Sequence, residues 1–333
     1  MASKRRRSAD DQPEAVFERI AAVVEGAPAG MHRLGSPAFV LDSAWPASLL
    51  AAYRRFNGAT LFHEAVVLWP AKEVTRREVD GVSMYQVGEW DGEELAVDAG
   101  GRVFRCEASS GEWLCEGSRF DRWLWGAIEA EMILYERDGE FADECFDEAG
   151  EARPVVSERM QRCILKRDRA AVAPRWRLAR ALAQQGQLEA AREQLETLVA
   201  TASEFAWGWY DLGRLSERLG ALECALDELI QAAEARPDYE YTGFFWAHAA
   251  RVAKRCGREL DRARLAERAL ACDPGLLDAQ RAGAEASLRE GALDAADELA
   301  ALALALAPRD LRAHDLAARI RRARDSAVGD LDD

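Results

Sequence analysis

The chain has 333 residues, 49% hydrophobic and 8% aromatic, more than one core comfortably absorbs and enough for two. Its net charge of −15 repels nucleic-acid phosphates and anionic lipid, and its longest apolar run, Leu299–Ala307, is far short of the ~20 residues a bilayer span needs. Nucleic-acid binding and membrane insertion are thus not expected, nor is a secretory leader, because no apolar stretch follows the basic run Lys4–Arg7; the expectation is a cytoplasmic monomer.

Residues 1–10 read as a disordered basic tail and 11–153 as an α+β domain. Asp11–Glu25 places Val16, Phe17, Ile20, Val23 and Val24 on one helical face. Pro46 opens a second helix bearing Leu49, Leu50, Tyr53 and Phe56, which Asn57–Gly58 stops. Short β runs follow at Ala65–Trp69, Met84–Trp90, Leu95–Asp98, Arg102–Glu107 and Glu112–Glu116, with turns at Asp98–Gly101 and Ser109–Gly111. Ser118–Arg137 closes the domain with a helix carrying Phe120, Trp123, Leu124, Ala127, Ile128 and Ile133, giving an antiparallel sheet with helices. Trp45, Trp69, Trp90, Trp113, Trp123 and Trp125 are expected mostly in the core, with one or two exposed as anchors.

Within this stretch W-P-A-S-L-L-A-A-Y-R-R-F-N-G (Trp45–Gly58), L-W-P-A-K-E-V (Leu68–Val74), D-A-G-G-R-V-F (Asp98–Phe104) and S-R-F-D-R-W-L (Ser118–Leu124) occur in order. Together they resemble the SUKH superfamily, the Smi–Knr-type domain, over about Phe39–Arg137. The resemblance implies a binding domain, commonly an immunity protein that neutralises a toxin, elsewhere a scaffold. The charge fits this: Ser36–Arg153 holds 24 Asp+Glu against 11 Lys+Arg, so nearly all the acidity lies here. An acidic face speeds encounter with a basic partner; improved solubility is the plainer alternative. Eight carboxylates crowd Glu136–Glu151, as a solvated connector or as an internal ligand for the helices that follow.

From 154 the pattern becomes periodic. Pro154–Arg169 reads as a joining helix, and then Gly186, Gly220, Gly257 and Gly291 recur at spacings of 34, 37 and 34. Pro237, Pro274 and Pro308 follow the same rhythm, and the extra three residues fall near Tyr239–Tyr241. Small pairs precede each glycine (Leu178–Ala179, Leu212–Gly213, Ala249–Ala250, Gly283–Ala284), allowing two helices to approach closely around a glycine turn. This resembles the tetratricopeptide repeat, in copies at about 172–205, 206–239, 243–276 and 277–310. Residues 311–324 look like a capping helix, with a frayed tail over 326–333, so that 154–325 forms an all-α superhelix.

In that family the first helices of successive repeats line a groove. Carried over by phase, the groove residues are Trp176, Arg180, Trp207, Tyr210, Arg214, Phe244, Arg251, Lys254, Arg281 and Arg319. An arginine row beside aromatic rings suits an acidic peptide; a solvated arginine face with tryptophans packed between helices is the alternative. Seven scattered cysteines without a C-x-x-C pair, and four histidines without a metal-ligand neighbour at i+3 or i+4, point to no metal, cofactor or catalytic motif. The expected function is therefore a non-catalytic protein-binding adaptor, first of the immunity type with a basic toxin as partner, next a general scaffold acting through the repeat groove, and third an enzyme.

Overall fold

A computed structural model describes residues 12–38, 40–79, 81–108 and 111–329. The expected basic tail, Asp11 and the Ser109–Ser110 half of one turn lie outside these. The chain divides into two compact units between Gln194 and Leu195, not at the expected 153/154 boundary.

The first unit opens with helix α1 (Pro13–Glu25), strand β1 (Arg33–Leu34) and α2 (Ala47–Arg55). Next come β2 (Ala59–Leu61), β3 (Val66–Leu68), β4 (Thr75–Val79), β5 (Val82–Trp90), β6 (Glu93–Asp98), β7 (Val103–Cys106) and β8 (Trp113–Gly117). They form one sheet in the order β1-β2-β3-β5-β6-β7-β8, with antiparallel pairing throughout. Both β3 and β4 pair with β5: β4 takes Val82–Gln86 and β3 takes Gly88–Trp90. A register shift between Gln86 and Gly88 separates the two pairings, and only glycine fits there, since a Cβ on Gly88 would sit 1.9 Å from the Val67 carbonyl oxygen.

Helix α3 (Phe120–Glu131) seals the sheet with Phe120, Trp123 and Leu124, all fully buried against Phe17, Leu49 and Leu95. It stops earlier than its expected end at Arg137. A 3₁₀ turn at Met132–Leu134 follows, and Tyr135 then bridges to Phe141. Trp45, Trp90 and Trp123 are buried; Trp69, Trp113 and Trp125 are half-buried.

The boundary moves because α4 (Pro154–Arg167) and α5 (Val172–Gln184) pack on this unit. Gly126 of α3 lets α4 approach so closely that a Cβ would fall 2.9 Å from the Ile164 Cα. Helix α5 meets β8 through an ion pair: Arg177 donates to both oxygens of fully buried Glu116, at 2.8 and 2.6 Å.

The division falls inside α6 (Leu188–Thr201). The second unit continues with α7 (Ala206–Arg218), α8 (Leu222–Ala235), α9 (Thr242–Arg255), α10 (Glu259–Cys272), α11 (Leu276–Arg289), α12 (Leu293–Leu306) and α13 (Leu311–Gly329). The helices pair as hairpins, α7 with α8, α9 with α10, and α11 with α12, as the periodicity predicts. Gly186, Gly220, Gly257 and Gly291 each take the turn at a φ of 73–80°, the left-handed region that glycine occupies without strain.

One feature departs from a uniform stack. The last hairpin packs on α9 mainly through its second helix, α12, and Leu302, Ala305 and Leu306 join the core that surrounds Phe245 and Trp246. The closing helix α13 covers α11 and α12 with Leu316 and Ile320 and runs on to Gly329, past its expected end at 324. Among the described residues, no helix is long and apolar enough to cross a membrane.

Candidate functional site

In the second unit the starts of α7, α9 and α11 enclose a cavity of about 330 Å³. Trp207, Tyr241 and Phe244 supply aromatic walls, Glu240 and Asp273 supply carboxylates, and Gln280 lies at one side; among the described residues, no basic one lines it.

Each wall is fixed from behind. The Trp207 Nε1–H donates to the Tyr239 hydroxyl at 2.8 Å, and its ring stands edge-on to Phe245 with centroids 5.1 Å apart. Tyr241 lies 5.2 Å from Trp207, centroid to centroid. Phe244 rests on His248 at 4.5 Å and on Tyr210 at 5.5 Å. Asp273 accepts the Gly275 N–H at 2.9 Å, which shapes the turn into α11. Gln280 is only 7% exposed, yet its Oε1 has no hydrogen-bond partner. A buried acceptor left in that state costs roughly 1–3 kcal/mol.

Beneath the aromatic walls, the Tyr210 hydroxyl and the His248 Nε2 lie 3.3 Å apart. Burial, reinforced by the nearby charges of Arg251 and Arg214, holds the His248 imidazole well below its usual pKa and therefore neutral near pH 7. Burial likewise raises the Tyr210 hydroxyl. Both side chains brace the walls and keep their polar ends inside.

The groove residues expected from the repeat phase fall into different settings. Trp207 and Phe244 line the cavity, and Tyr210 is buried behind it. Arg214 reaches Glu298 of α12 at 3.3 Å, a contact created by the seating of α12 beside α9. Arg251 pairs with half-buried Glu217 at 2.7 Å, and Arg255 joins the same carboxylate. Arg281 binds Asp310 at 2.7 Å and also Asp278. Arg319 approaches Glu285 at 3.9 Å, and Lys254 is exposed. In the first unit, Trp176 is buried with the Arg180 guanidinium 4.9 Å above its ring.

Phase alone did not point to Glu240, Tyr241, Asp273 and Gln280. The signal for the first two was the 37-residue spacing, because the extra residues near Tyr239–Tyr241 deliver them to the cavity mouth. For Asp273, the clue was its place beside Pro274 in the next connection.

No protein-family model matches the chain, and no curated protein matches it. Solved structures similar to it are tetratricopeptide and related proteins. MamA is 17% identical, covering 53% of this chain and 91% of that one, with a TM-score of 0.35. A thermophilic tetratricopeptide protein of Thermus thermophilus, TTC0263, is 28% identical over 51% of this chain and 90% of its own, at 0.34. YrrB, described as a tetratricopeptide protein with an unusual peptide-binding site, is 17% identical over 47% and 80%, at 0.33. At such TM-scores the fold rests on the helical hairpins themselves, not on these likenesses.

Proposed function

We propose that the chain is a protein-binding adaptor whose second unit seats a basic side chain of a partner, lysine or arginine, in the cavity between the starts of α7, α9 and α11. What carries this reading is the chemistry of the cavity: three aromatic faces and two carboxylates, with no basic residue in its described lining. A cation over an aromatic face gains roughly 0.5–2 kcal/mol, and its N–H groups can serve the carboxylates of Glu240 and Asp273. The arginine row that would favour an acidic peptide is largely engaged with carboxylates of the same unit. The partner is therefore a basic peptide segment in place of an acidic one.

The test is a fluorescence-anisotropy titration of the full chain with a library of lysine- and arginine-bearing peptides and their glutamate counterparts. Basic peptides should bind, and Trp207→Ala and Glu240→Lys should each weaken them about tenfold or more. Preference for the glutamate set, or binding unaffected by both substitutions, defeats the proposal.

A second reading concerns the first unit, where the resemblance to SUKH domains supports an immunity-type role against a basic toxin. All eight carboxylates of Glu136–Glu151 are exposed. They sit on two turns whose apolar residues, Ala142, Cys145 and Phe146, pack around Val156 of α4. The carboxylates thus form a fixed acidic display, which favours a basic protein surface. Replacing Glu136, Asp138, Asp147 and Glu148 by their amides should slow association with such a partner and flatten its salt dependence. An unchanged association rate would remove this display from the reading.

A further inference from the structure

The hairpin of β4 and β5 runs past β3 and leaves one side of β4 open. Among the described strands β4 pairs with β5 alone, and Thr75, Arg76, Arg77 and Glu78 are all exposed. Val79 and Val82 pair directly beside the turn. In a hairpin that tight the pair beside the turn exchanges both backbone hydrogen bonds, and the exchange recurs at every second pair. Thr75, Arg77 and Val79 therefore bond to β5, while Arg76 and Glu78 turn their N–H and C=O groups outward.

An open edge of this kind is a template for another strand, and its side chains decide which one. Successive residues alternate between faces, so Arg76 and Glu78 share one face and Arg77 lies on the other. Arg77 is already engaged there: it pairs with Glu94 of β6, and its guanidinium lies 5.1 Å above the Trp113 ring. The two residues with outward backbone groups thus carry opposite charges. A strand guarded by a single sign of charge repels in every register; Arg76 with Glu78 leaves one register attractive.

From this pattern we infer that β4 is the contact between two copies of this chain, paired antiparallel about a two-fold axis through Arg77. That register sets Arg76 of each copy opposite Glu78 of the other. Both outward pairs then exchange backbone hydrogen bonds and bring opposite charges together. An axis through Arg76 or Glu78 sets like charges face to face, and a slip of one residue sets outward groups against inward ones. The two Arg77 side chains meet at the axis with their charge already offset by Glu94. The ladder is short, so the dimer forms at about micromolar concentration, in place of the monomer expected from the sequence. The contact lies within the first unit and is independent of the proposed peptide cavity.

Sedimentation equilibrium of the full chain, from low to high micromolar concentration, tests the inference, with melting curves to confirm folding. The expected result is a reversible equilibrium between monomer and dimer. Arg76→Glu and Glu78→Arg each make both charge pairs repulsive and should weaken the dimer about tenfold or more. Both side chains are exposed, so the melting temperature should stay within a few degrees of the parent. Mixing the two variants should restore dimers, because their altered edges are complementary again. The double substitution Arg76→Glu with Glu78→Arg in one chain should likewise restore self-association in the same register. A parent chain that stays monomeric, a dimer indifferent to both single reversals, or no recovery in the mixture or in the folded double variant overturns the inference.

Discussion

The two units place their carboxylates differently. In the first, Asp98, Glu116, Asp121, Glu131 and Asp168 are all buried, whereas among the described residues of the second no Asp or Glu is. The buried groups of the first unit act as joints. Asp98 accepts the Arg102 backbone and side-chain N–H groups at 2.8 and 2.7 Å across a turn, Asp168 holds Ser118, and Glu116 fastens α5 to β8. In the second unit alanine and glycine do the fastening, letting helices approach until backbone and short side chains fill the space. A fold without internal repetition has to define each junction individually; a repeated hairpin reuses one apolar junction and leaves its charges at the surface.

The sharpest way to break this contrast is to remove a joint. Burial opposes the charge on Glu116, but Arg177 and then Arg105 outweigh it and hold the carboxyl below its usual pKa. Arg177→Met leaves Glu116 with Arg105 at 3.4 Å as its remaining ionic partner. Losing one partner of a buried charge costs up to about 3–5 kcal/mol, less what Arg105 still supplies. Urea unfolding should show that loss, and Arg177→Met combined with Glu116→Leu should recover much of it. A loss below about 1 kcal/mol in the single variant would mean that the seam contributes little.

The second effect depends on pH. Glu131 accepts the Trp90 Nε1–H at 3.0 Å, and burial, with Asp91 adding to it, pushes its pKa up to about 7. A carboxyl raised in the fold favours the protonated native state. Its contribution is complete below the unfolded-state value, near 4.5, and is lost as pH rises through about 7. Glu131→Gln keeps an acceptor for Trp90 without a charge. It should gain roughly 2–3 kcal/mol at pH 8, little at pH 4, and flatten the stability profile between. A profile with the same slope as the parent chain would place the titrating group elsewhere. No substitution in the second unit should produce such a slope of this sign, since no carboxylate is buried there among the described residues.

The same contrast explains what could be read from the sequence. Turn glycines and small pairs repeat, so the hairpins of the second unit were legible to within a few residues. In the first unit Thr75–Val79 is largely exposed and charged, so it shows no apolar alternation, yet it pairs along β5. The seam between Glu116 and Arg177 joins residues 61 apart, and neither has a local pattern marking it. For the cavity, phase located Trp207 and Phe244 because they face inward from first helices. Glu240, Tyr241 and Asp273 sit in connections, marked only by the lengthened 37-residue spacing and by Pro274, and the pairing of Arg214 with Glu298 depends on the seating of α12, which the repeat pattern does not encode.

The smallest expected effect probes the repeated junction itself. Gly220 turns α7 into α8 at φ 80°, and a Cβ there would meet nothing within 4 Å. Gly220→Ala therefore isolates the left-handed backbone cost, about 1–2 kcal/mol. Gly213, inside α7, is the converse: its φ lies outside the left-handed range, but a Cβ would fall 2.8 Å from the Leu229 Cγ and 3.2 Å from the Ala225 carbonyl oxygen. Gly213→Ala gains about 1 kcal/mol in helix propensity and loses close packing. Thermal unfolding of the two variants separates the terms, because only Gly213→Ala should be relieved by removing the γ and δ carbons of its neighbour in Leu229→Ala. Equal relief of both variants would show that turn and interface are not independent, and that the hairpin responds as one piece to either change.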